Sequence, residues 1–212
     1  GLNSSLQIYM NTYFWEFKSI MIASFLGIYV MSAFTAFLLI PRLVLYLEKR
    51  SILLFAIAFA AIIPPIPIIL YLNDILPDSG SWNLFFALSP FIYIGNTCLS
   101  SSAIVRESML GDISDEVELE SKIGQQGLMY ASSSLIGKLN TGLGILVAGL
   151  ALEIIGFPRG SELLPNTDQI FSLAMVQGPF VAVLMIIPFG IFSFYNIDRQ
   201  KHKNILSQLE VR

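Results

Sequence analysis

Charge is scarce in this sequence. Only 13% of its 212 residues are Asp, Glu, Lys or Arg, and 55% are hydrophobic, whereas soluble domains carry about 25% charged residues. A water-soluble fold of this length cannot hide so much apolar surface, and that class is excluded. There is one cysteine, Cys98, inside an apolar run, which excludes a disulfide framework. The one histidine, His202, lies in a polar tail, and no zinc or nucleophile-elbow signature accompanies it. That leaves little for an intramembrane enzyme built, for example, on Ser100–Ser102 with Lys138. The opening GLNSSLQIYMNTYFWEFK has no basic n-region, so no cleavable signal peptide is read there. Alternating segments of about ten residues, the mark of a membrane β-barrel, are absent too.

What remains is a series of uncharged runs, in a chain of mean hydropathy +0.71. About 20 apolar residues cross about 30 Å of hydrocarbon at 1.5 Å per residue. The expected fold class is an all-α membrane protein, one domain over 1–212. It begins with a stub of helix at 2–14 and continues with spans at about 20–45, 52–72, 82–105, 128–157 and 170–197. Pro64, Pro65 and Pro67 must kink or break the second full span, since each removes a backbone donor. Residues 106–126 are expected to form an acidic loop. Gly1 stands where a start Met would, and the stub is short. We therefore expect a half-molecule whose partner is an N-terminal six-helix half.

Basic residues set the expected orientation. Arg42, Lys49, Arg50, Arg106, Lys122, Arg199, Lys201, Lys203 and Arg212 fall on one side, Lys18 and Arg159 on the other. Positive charge favours the cytoplasm, so the acidic loop and the C-terminus are expected there, in a multi-pass protein of the cell (inner) membrane. Its expected partners are the lipid bilayer and a small-molecule substrate, with no nucleic acid.

Lys138 is the residue with the sharpest chemistry. A lysine at bilayer depth costs about 2.5–3.5 kcal/mol even on lenient insertion scales, so it should face a partner or water. Tyr130, Ser134, Lys138 and Thr141 recur at i, i+4, i+8 and i+11, one stripe at about 100° per residue. Snorkelling is the alternative, although the lysine lies about 15 Å into the helix. The preceding span carries a second polar line, Ser89, Tyr93, Asn96 and Ser100. Such a line either borders a substrate path or bonds helices together. Asp112, Asp115 and Glu118 recur every third residue and share a face if helical. Without His, Cys or a calcium-loop glycine they make a poor metal site; a gate on the cytoplasmic side or a solvated loop are the competing readings.

Met109, Asp112, Asp115, Glu118 and Gly127, with Lys138 following, resemble the glycoside–pentoside–hexuronide:cation symporters, the melibiose permease-like family of the major facilitator superfamily. Pro41-Arg42-Leu43-Val44 with Lys49-Arg50 is similar to the family's connection between helices VIII and IX. Ile155-Gly156-Phe157-Pro158 is similar to the close of helix XI. The resemblance covers the chain as the end of helix VII through helix XII, and implies alternating access between two six-helix halves. It implies symport of a sugar or related solute with Na+ or H+. The cation site would lie mainly in the other half near Lys138, and no further cofactor is implied. It gives Lys138, Ser134, Tyr130, Thr141, Asn96, Ser100 and Tyr93 to the cavity, and Asp112, Asp115 and Glu118 to the cytoplasmic gate. Two departures stand out: Gly124 and Gln126 replace the family's usual Arg and Glu after the acids. Ala103 stands where sugar-transporting members can place a tryptophan. A lysophospholipid-type or other non-sugar symporter is one alternative, and a non-transporting membrane scaffold is another.

Overall fold

In hydrocarbon every backbone N–H and C=O must be satisfied within the chain, which restricts long apolar runs to helices. The computed structural model describes residues 1–158, 164–195, 200, 201, 205, 207 and 208, and among these it contains no strand. Helix α1 (Leu2–Tyr9) passes directly into a π-turn at Met10–Phe14. Then come α2 (Ser19–Tyr46), α3 (Lys49–Ile62), α4 (Pro65–Leu72), α5 (Trp82–Ser121) and α6 (Gln126–Ile155). The last stretch is α7 (Thr167–Met175), a second π-turn at Val176–Phe180, α8 (Val181–Leu184) and α9 (Ile186–Phe192). Five stretches are long and apolar enough to cross a membrane: α2, α3 with α4, α5, α6, and Thr167–Phe192. The chain is an all-α membrane protein.

Three differences from the sequence reading have physical causes. The expected acidic loop at 106–126 is helix as far as Ser121, so α5 runs for 40 residues, about 60 Å, well beyond the hydrocarbon. It continues because Val105, Met109 and Asp112 keep a buried face at helical spacing. It stops at Lys122, whose left-handed backbone (φ 65°) lets its N–H reach the Glu118 carbonyl. The span at 52–72 breaks at Ile63–Pro64, and the proline cluster divides it into α3 and α4. The last span, expected as one helix at 170–197, is interrupted by the π-turn that contains Pro179. Its expected end at 196–197 lies outside the described residues, as do Arg159, Arg199, Lys203 and Arg212.

Helix α5 is the centre of the packing, running along α2 and α3, while α6 lies chiefly on α1. Two cores divide the bundle. At one end aromatic rings interlock: Phe25 and Phe85 stand 4.7 Å apart, Phe14 and Trp15 4.6 Å, Tyr13 and Phe157 5.2 Å. At the other, Ile40, Ile52, Leu53, Ile57, Val105 and Met109 pack beneath a charged cap. Helix α6 closes at Gly156, which takes the left-handed conformation (φ 71°) that side chains disfavour. The Gly156 carbonyl accepts from Gln169 Nε2 at 2.6 Å. Gln169 also completes a capping box with Asn166, tying the end of α6 to the start of α7.

Candidate functional site

Helix α6 buries a single residue, Ala148. Its approach to α1 is set by Gly144, where a Cβ would lie 2.5 Å from both the Gly1 Cα and the Leu2 nitrogen. Only a residue without a side chain lets the two backbones come this close. Elsewhere α6 stands off the bundle. Tyr130, Ser134, Lys138 and Thr141 are all exposed, and Lys138 makes no hydrogen bond or ion pair with any described residue. Tyr130 leans back onto α5, its hydroxyl 3.3 Å from where a Cβ on Gly111 would sit.

Between α5, α6 and the segment after α9 lies a groove of about 1180 Å³. Tyr130 and Ser134 line it together with Ser133 and Asn140, opposite Met109 and Ile113, with Arg106 also on its wall. Lys138 and Thr141 are not on that wall, so the stripe is divided between the groove and the open face of α6.

The polar line on α5 turns elsewhere. The Tyr93 hydroxyl is 2.6 Å from Thr35 Oγ1, and Asn96 Nδ2 donates to Ser32 Oγ, both on α2. Ser32 is fully buried and donates in turn to the Tyr29 carbonyl at 2.8 Å. Ser89 bonds its own helix, donating to the Phe85 carbonyl. Ser100 is half-buried. Tyr93 and Asn96 thus fasten α2 to α5, and they are not on the wall of the groove that Ser134 lines.

The three acids separate in the same way. Asp112 is buried, 5% exposed, and accepts from Lys49 Nζ at 2.7 Å on each carboxylate oxygen and from the Tyr195 hydroxyl at 3.2 Å. Burial first, and then the charge of Asp112, hold the Tyr195 phenol above its usual range. Arg50 donates to the Ser193 carbonyl, and Lys201 Nζ reaches Glu116 at 2.6 Å. Chain segments around α3, α5 and the end of α9 are joined at this charged end. Asp115 accepts from Gln126 Nε2 at 3.3 Å across the α5–α6 turn. The Glu118 carboxylate lies beside Gly124, 3.6 Å from where a Cβ would be. Both acids are half-buried.

Sequence spacing had not singled out Lys49 or Tyr195 as partners of Asp112, because each lies more than 60 positions away along the chain. Nor had it singled out Gln177, whose signal was available: it is the one amide in the otherwise apolar run from Leu173 to Phe192. Among the described residues no group of His, Cys, Asp and Glu is placed to hold a metal ion.

A bundle of membrane-crossing helices with a charged cap and a polar stripe on its sixth helix is the architecture of a polytopic membrane protein. The family model described as MFS/sugar transport protein matches residues 1–199, and the chain belongs to that family. It is 27% identical over 141 residues to the uncharacterized symporter sll1374 of Synechocystis sp., covering 65% of this chain and 25% of that protein. It is 28% identical over 181 residues to the uncharacterized symporter YnaJ of Bacillus subtilis, covering 82% of this chain and 35% of that protein. The chain therefore spans about a quarter to a third of the curated relatives it matches. No solved structure matches it.

Proposed function

We propose that this chain forms the C-terminal half of a cation-coupled symporter, moving a sugar or related small solute with Na+ or H+ by alternating access. The observation that carries the reading is the exposure of Lys138 on a helix long and apolar enough to cross a membrane. An ammonium at that depth needs a counter-charge or a watered cavity, and the described chain supplies no counter-charge. A second six-helix half facing α6 would supply both, with Thr141 beside Lys138 on the open face and Tyr130 and Ser134 in the adjoining groove. Tyr93, Asn96 and Ser100 then stand behind the path, the first two holding α2 against α5. Asp115 and Glu118, at the turn between α5 and α6, are placed to meet the other half at the cytoplasmic gate. Asp112, paired within its own half, stiffens that gate. The family description and the symporter relatives support the same reading, as does the positive-inside count for a multi-pass protein of the cell membrane.

The test is solute uptake driven by an imposed Na+ or H+ gradient in vesicles containing the protein. Lys138→Met should abolish coupled accumulation at normal surface expression, and undiminished accumulation would remove the basis of the reading. A second solute class is favoured by the groove itself, whose wall is mostly apolar with Arg106 at α5. A lysophospholipid would place its chain along that wall and its phosphate at Arg106. Uptake of lysophosphatidylcholine but not of sugars would select it.

A further inference from the structure

Asn3, Gln7 and Asn11 stand at i, i+4 and i+8 and share one flank of the first helix. Gln177 faces them from the π-turn between α7 and α8. Its Nε2 donates to Gln7 Oε1 at 2.8 Å and to Asn3 Oδ1 at 3.3 Å. Gln7 Nε2 donates onward to Asn11 Oδ1 at 3.2 Å. Gln177 is 7% exposed and Asn11 4% exposed, whereas Asn3 and Gln7 are half-buried. The four carboxamides form one hydrogen-bonded cluster, deepest at Asn11 and Gln177 and shallowest at Asn3 and Gln7.

Its hydrogen bonds do not balance. Gln177 Oε1 is buried and accepts from nothing, while the amide nitrogens of Asn3 and Asn11 donate to no described residue. In a hydrocarbon surround an unmet acceptor is expensive. Asn11 and Gln177 also each sit in a π-turn, a form found disproportionately at functional sites.

The unmet atoms specify a ligand chemistry. A hydroxyl donates one hydrogen and accepts two, which suits an orphan acceptor beside idle amide donors. No cationic side chain is among the four to hold an anion, and the amino group of Gln177, already aimed at two oxygens, disfavours a metal ion. We infer that Asn3, Gln7, Asn11 and Gln177 form a hydroxyl-recognition subsite for a polyhydroxylated small solute, entered from the side of Asn3 and Gln7. The inference rests on the transport reading for its solute class, and it adds a position that the Lys138 stripe does not include.

Water could supply the same hydroxyl chemistry, and the experiment separates the two sources. D-Galactose, D-xylose and their monodeoxy analogues are titrated against the protein in lipid nanodiscs, wild type and Gln177→Met. Methionine keeps the length of the side chain and removes both hydrogen-bonding atoms. A solute hydroxyl predicts about tenfold weaker binding of one parent sugar in the variant. The analogue lacking the docked hydroxyl should bind both forms alike. Equal weakening of parent and analogues assigns the cluster to water and overturns the subsite, as does no weakening or no sugar binding by wild type. If Gln177→Met does not fold, Gln177→Asn, shorter by one methylene, serves in the same comparison. Loss of Lys138-dependent uptake with normal sugar binding would strike the transport reading alone. Uptake dependent on Lys138, with Gln177→Met binding like wild type, would strike this inference alone.

Discussion

Lys49 Nζ stands 2.7 Å from both oxygens of Asp112, a two-point contact made by a residue at the start of α3 with one about three-quarters of the way along α5. The carboxylate side chain is 7% exposed and the lysine 22%. A pair this deep gains little over well-packed apolar residues, but removing the lysine takes a cation away from a buried carboxylate. Lys49→Met should therefore lower stability by about 3–5 kcal/mol. The double variant Lys49→Met with Asp112→Leu should recover most of that loss. Thermal unfolding of the four proteins in the same detergent completes the cycle, and additive losses would show that the pair is not coupled.

Tyr195 reports on the same cluster through pH. Its folded phenol is held above the usual range by burial and then by Asp112. A group raised in the folded state contributes its full stabilisation below its unfolded value near pH 10 and loses it as pH rises toward the folded value. Wild type should lose stability above about pH 10. Tyr195→Phe, with no proton to lose, should lack that part of the alkaline slope. Unfolding midpoints across that range, wild type against variant, measure the difference; identical slopes would mean that Tyr195 does not sit against Asp112.

Gly144 tests the seating of α6. A leucine there must push against the backbone of Gly1 and Leu2, not against a side chain that can swing away. Overpacking of this kind costs about 1–3 kcal/mol. Gly144→Leu should lower the thermal midpoint, and Gly142→Leu, where nothing lies within 4 Å, should not. Equal effects at the two sites would place the α1–α6 contact elsewhere.

The spans were legible in the sequence because a run without charge has one fate in lipid, and the break at Pro64 was legible because proline removes a donor whatever surrounds it. Partners were not. The line of Tyr93 and Asn96 showed that α5 has a polar face, but nothing local says that Thr35 and Ser32, some 60 positions earlier, would meet it. The acids looked like a loop because five carboxylates in the nine residues from Asp112 to Glu120 suggest solvent. They form a helix because Lys49 lets Asp112 occupy a buried position that local composition would deny it. For Lys138 the depth and the stripe were legible, while the structure adds that the stripe is split, Tyr130 and Ser134 lining the groove beside α5 and Lys138 and Thr141 lying on the open face of α6.

Accessibility to a water-soluble thiol reagent distinguishes the two polar lines, and the sequence makes the experiment clean. Cys98 is the sole cysteine, so Cys98→Ala removes the background. Single cysteines are then placed at Ser134, Thr141 and Asn96 in the protein in membranes. Ser134 and Thr141 are exposed on α6, whereas Asn96 is half-buried and bonded to Ser32. A membrane-impermeant maleimide reaches a thiol at bilayer depth only through water. Ser134→Cys and Thr141→Cys should therefore react, and a transported solute should slow them. Asn96→Cys should react at least tenfold more slowly, and it should lower stability by about 1 kcal/mol through loss of the bond to α2. If instead Ser134→Cys is inert while Asn96→Cys labels and is protected by solute, the path runs between α2 and α5, and the open face of α6 looks into lipid.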